Sequence, residues 1–63
     1  MALNLDGLEQ VQQQLAEAID QVGPDHEALL LTKLALLLSN HIGDAAVVAD
    51  AISTALQDLP EQR

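Results

Sequence analysis

Ala28-Leu29-Leu30-Leu31-Thr32-Lys33-Leu34-Ala35-Leu36-Leu37-Leu38-Ser39-Asn40-His41-Ile42-Gly43-Asp44 is the stretch on which the fold turns. Leu and Ala are strong helix formers. The run is closed upstream by Gly23-Pro24 and downstream by Gly43, residues that end helices because Gly accepts the left-handed turn and Pro cannot extend one. The apolar core of the stretch, Ala28 to Leu38, already carries Thr32 and Lys33 and is far shorter than the roughly 20 apolar residues of a membrane span. It therefore predicts a buried helix rather than a membrane anchor, over about 25–42. With Leu34 taken as the origin of a helical wheel, Leu30, Leu31, Ala35, Leu37, Leu38 and Ile42 crowd one half. Leu29 and Leu36 project from the other half, flanked by Thr32 and Ser39 on one side and Lys33 and Asn40 on the other. A helix that is apolar on two sides needs cover on two sides.

Upstream, Leu8, Val11, Leu15, Ala18, Ile19 and Val22 follow the three-and-four spacing of an amphipathic helix over about 6–22. Gln10, Gln13, Gln14, Glu17, Asp20 and Gln21 fill its opposite side as a solvated face. Downstream, Ala45, Val48, Ala49, Ile52, Ala55, Leu56 and Leu59 form the stripe of a third helix over about 45–59, stopped by Pro60. Asp25 and Asp44 stand where side-chain oxygens can cap the second and third helices, and Gly43 stands where the second must end. The expected fold is all-α, an up-down-up three-helix unit in which residues 1–63 form a single domain and residues 1–5 and 60–63 are flexible ends. A chain this short hides only about 60% of its unfolded surface. Completion by dimerisation or by a partner is therefore expected.

Composition narrows the chemistry. Apolar residues make up 49% of the chain, without a single Phe, Trp or Tyr. The absence of Cys excludes disulfides and thiolate metal sites. Ten Asp and Glu against two Lys and Arg leave a net charge of −8, which repels phosphate backbones and anionic lipid surfaces, so neither nucleic acid nor membrane is expected as a partner. Nothing near Met1 reads as an export signal, and a cytoplasmic location is expected. Thr32, Ser39, Ser53 and Thr54 all fall inside predicted helices, away from the strained turns that expose a catalytic hydroxyl. The three glycines stand singly rather than as a phosphate cradle, and His26 and His41 lack metal-ligand spacing. No catalytic residue, metal ligand or cofactor is expected, and the chain reads as a non-enzyme.

His41 departs from this pattern. It shares a side with Leu30, Leu34 and Leu37, which predicts a partly buried imidazole that donates to a backbone carbonyl or to Asp44. Leu29, Leu36, Asn40 and His41 are the candidate interface with a second copy or a larger protein. The alternative is a small-ligand binder with a leucine-lined groove and His41 as its polar contact.

Leu34-Ala35-Leu36-Leu37-Leu38-Ser39-Asn40-His41-Ile42-Gly43-Asp44, with the Ala-Val-rich segment that follows, resembles a family of short bacterial proteins known as a domain of unknown function. Those proteins share the Leu-rich run, the Asn-His-Ile-Gly-Asp sequence and this length. The resemblance covers roughly Lys33 to Leu56 and implies an accessory role beside flavin-dependent hydroxylases of aromatic compounds. It implies no active-site residues.

Overall fold

The computed structural model describes residues 2–57 and residue 59. Three α-helices lie among them, α1 (Leu5–Val22), α2 (Glu27–Ile42) and α3 (Ala45–Leu56), with a 3-10 turn over Pro24–His26 between the first two. No strand occurs among the described residues, so the fold is all-α. The chain divides into two compact units, Met1–Lys33 and Leu34–Arg63. No described helix is long and apolar enough to cross a membrane.

In the first unit α1 begins at Leu5, one residue before the expected start. The reason is Asn4, whose extended backbone (φ −74°, ψ 174°) lets its side chain accept from the Gly7 amide at 2.7 Å. This satisfies one of the four amides that a helix start leaves unpaired. Leu15, Ala18, Ile19 and Val22 along the predicted stripe are half-buried, and the Gln-rich side is exposed throughout. On that side Gln13 donates to Glu17 one turn away at 3.3 Å. The helix ends at Gly23, whose φ of 79° no other residue type adopts at comparable cost and whose amide donates to the Ile19 carbonyl at 3.0 Å.

The second helix starts later than expected, and Asp25 is not its cap. Asp25 is the middle residue of the 3-10 turn, where no side-chain cap hydrogen bond forms. Pro24 occupies the first position of that turn, where its fixed φ fits and its missing amide is not needed. The turn closes through the His26 amide and the Gly23 carbonyl at 3.2 Å, and α2 takes over at Glu27.

In the second unit the Gly43 amide donates to the Ser39 carbonyl at 2.9 Å and the backbone turns at φ 72°. Asp44 follows in an extended conformation, and its Oδ1 accepts from the amides of Ala46 at 2.9 Å and Val47 at 3.4 Å. Helix α3 stops at Leu56, short of the expected end near 59. Its last turn tightens, with the Gln57 amide donating to Thr54 at 3.1 Å, and Leu59 lies just before Pro60, a position at which helical backbone is disfavoured. The expectation for residues 60–63 lies outside the described residues.

Candidate functional site

No described residue is buried, and α2, expected as a buried helix, has only Glu27, Leu30, Leu34 and Ser39 half-buried, because no other element packs over it. The apolar side chains are on display instead, among them Leu36 at 66%, Leu37 at 61% and Leu29 at 59% exposure. The features to examine are therefore grooves along helices rather than an enclosed cavity.

The first unit carries a groove of about 380 Å³ lined by Val22, His26, Leu29, Leu30 and Lys33. From His26 to Lys33 the lining residues are three, four and seven positions apart, so they share one side. An imidazole and the chain's single lysine thus flank two leucines. Composition reading passes over this pair because His26 and Lys33 are seven apart and each looks like an isolated surface residue. Helical spacing was the signal that would have joined them.

The second unit carries two grooves, each lined from both α2 and α3. One, of about 520 Å³, is lined by Leu36, Ser39, Asn40 and Gly43 from α2 and its end, and by Asp44, Ala45, Val48, Ala49 and Ile52 from the α3 side. The other, of about 270 Å³, is lined by Ala35, Leu38, Ser39 and Ile42 from α2 and by Val48, Ala51, Ile52 and Ala55 from α3. Ser39, Val48 and Ile52 line both. Ser39 and Val48 are half-buried there. The Ser39 hydroxyl donates to the Ala35 carbonyl at 2.7 Å, which leaves the smaller groove without an unpaired donor.

The four candidate interface residues fall in both units. Leu36 and Asn40 share the larger groove of the second unit, Leu29 lines the groove of the first, and His41 lines neither. His41 is exposed, and its ring makes no hydrogen bond to a described residue, in contrast to the expected half-buried contact with a carbonyl or Asp44. The Asp44 carboxylate is engaged with the amides of its own helix. The wheel places His41 on the side of Leu34 and Leu37, and no other element packs over that side.

Among the described residues no three His, Asp or Glu side chains gather as a metal site would require. What the geometry defines is a small all-α protein of end-capped helices whose grooves are open and apolar. The chain belongs to the family described as "Protein of unknown function (DUF2783)", whose model matches residues 1–57. No curated protein and no solved structure matches the chain.

Proposed function

We propose that this protein is a non-enzymatic helical interaction subunit that self-associates or docks on a larger protein. The observation that carries this reading is the exposure of Leu29, Leu36, Leu37 and their apolar neighbours in a chain with no buried described residue. Covering one leucine is worth roughly 1.5–3 kcal/mol, a large share of the few kcal/mol a domain this small reaches alone. Leu29, Leu36, Asn40 and His41 are the residues assigned to the contact, and the single-domain reading of residues 1–63 and a cytoplasmic location belong to the same proposal. The resemblance of the Leu34–Asp44 stretch supports a flavin-dependent aromatic hydroxylase as the larger partner. The test is the melting temperature against chain concentration, with and without such a hydroxylase. Binding to the folded state alone makes melting concentration-dependent. Melting that is cooperative, independent of concentration and unmoved by the enzyme overturns the reading.

A small-ligand reading has one observation in its favour, the groove that places His26 and Lys33 beside Leu29 and Leu30. Its chemistry suits a small apolar carboxylate. Thermal stabilisation by an aromatic carboxylate, lost in Lys33→Met, would support it over the first reading.

A further inference from the structure

We infer that the first two turns of α2 pair antiparallel with the same turns of a second copy of this chain, with Leu30 on the two-fold axis and Lys33 of each copy against Glu27 of the other. This rests on the interaction-subunit reading and names its partner. The groove of the first unit sets the face, since His26, Leu29, Leu30 and Lys33 share one side and line it together. Leu29 is exposed there and Leu30 is only half-buried. Of the residues assigned to the contact, Leu29 lines this groove, and Leu36, Asn40 and His41 follow on later turns of the same helix.

Charge selects the copy and the register. Lys33 is the only Lys or Arg among the described residues, and Leu29, Leu30, Leu36 and Leu37 occupy the positions three and four away where an acid of its own helix would pair with it. Glu27 is as isolated, with Gly23, Pro24, Leu30 and Leu31 at those distances. Glu27 precedes Leu30 by three residues and Lys33 follows it by three. The two therefore lie about 60° to either side of Leu30, one just under a turn before it and the other just under a turn after it. A two-fold axis through Leu30, perpendicular to the helix, exchanges both side and direction, so it lays Glu27 of one copy against Lys33 of the other, twice over. A parallel pair would set Lys33 against Lys33 and Glu27 against Glu27. The other acids of the first unit, Asp6, Glu9, Glu17 and Asp20 on α1 and Asp25 in the 3-10 turn, line no part of the groove. Two copies of net charge −8 repel, and this register sets Lys33 of each where it offsets part of that repulsion.

Charge reversal tests the register. Light scattering of the wild type is expected to give twice the chain mass of 6.7 kDa, and sedimentation of Glu27→Lys, Lys33→Glu and the double variant gives the dimer dissociation constants. Each single reversal sets like charges together at two places and is expected to raise the constant at least about fivefold, and the double reversal to return it to within about twofold of wild type. Glu27→Lys also lowers the net negative charge, which by itself would tighten the dimer; Glu17→Lys makes the same change of charge on α1 and is expected to hold or tighten it. The double variant carries both changes, so its recovery cannot come from stability at either position alone. The chain has no Cys, so an introduced thiol is unique. A disulfide forms only where Cβ atoms come within about 3.5–4.5 Å, so under a mild oxidant Leu30→Cys is expected to cross-link at least about tenfold faster than Gln13→Cys. These cysteine variants are uncharged and keep the seam testable if a charge variant fails to fold. A dimer that the single reversals leave unchanged, that the double reversal does not restore, or that cross-links no faster through position 30 than through position 13 overturns the seam and leaves the interaction reading standing. A folded monomer overturns the second copy as occupant, and the interaction reading then stands or falls on the hydroxylase experiment.

Discussion

The Ser39 hydroxyl donates to the Ala35 carbonyl at 2.7 Å, within one turn of α2, and both residues line the smaller apolar groove of the second unit. A hydroxyl on an apolar surface costs free energy when that surface is covered, unless it has a partner. Here the partner is the helix's own backbone, so a polar residue sits in an apolar groove ready to be covered. Ser39→Ala is expected to change melting by no more than about 0.5–1.5 kcal/mol, the net worth of one hydrogen bond, and to leave the mass in solution unaltered. Melting and light scattering on the same sample check both.

Asp44 is the stronger local determinant. Its Oδ1 accepts from two amides, at 2.9 and 3.4 Å, at the start of a helix of 12 residues. Isolated helices shorter than about 12–15 residues are marginal, so the cap weighs heavily. Asp44→Ala is expected to cost about 0.5–2 kcal/mol, with most of it recovered in Asp44→Asn, which keeps an accepting oxygen. Circular dichroism during urea unfolding measures the difference.

Gly43 has a φ of 72°, and a Cβ built on it would meet nothing nearer than the Asn40 carbonyl oxygen at 3.9 Å. The cost of Gly43→Ala is therefore backbone strain rather than collision, about 1–2 kcal/mol. Gly43→Asn should cost less, because Asn tolerates left-handed backbone, and Gly43→Val more. Reversal of that order in thermal unfolding would mean that the turn changes conformation.

His41 is exposed, so His41→Ala is expected to leave the melting of the dilute chain within about 0.5 kcal/mol. Its assignment to the contact surface requires association to weaken in the same variant. Sedimentation of wild type and variant at matched concentrations reads the second effect.

Salt separates the two kinds of partner. Copies of net charge −8 repel, and ions screen that repulsion, so self-association should hold or tighten between about 50 and 500 mM salt. Docking on a basic patch of another protein should weaken over the same range. Titration of the dimer dissociation constant against salt gives the sign directly.

The helices and most of their ends were legible in the sequence because they rest on contacts within a few residues. Gly43 turns the chain and Asp44 caps three residues ahead, and both effects are readable without any distant neighbour. Asn4 carried the same signal, an Asn three residues before the amide it holds, although the regular apolar stripe of α1 begins only at Leu8. The 3-10 turn at Pro24–His26 was hidden because Asp25 beside Pro24 satisfies the rule for a cap as well as the rule for a turn.

The amino-acid sequence by itself determined an all-α chain of three helices, the acidic solvated face of α1 and the two-sided apolar character of α2. Only the structure decided which residues of α2 share a groove with α3. Periodicity assigns a direction when apolar residues occupy one arc, and α2 has them on both arcs, so the wheel of Leu29 to Ile42 leaves that direction undetermined. In the structure Leu36 lines one groove shared with α3 and Leu38 lines the other, and Ser39 lines both. His41 is exposed and lines neither groove, an outcome that its own neighbours in sequence do not determine.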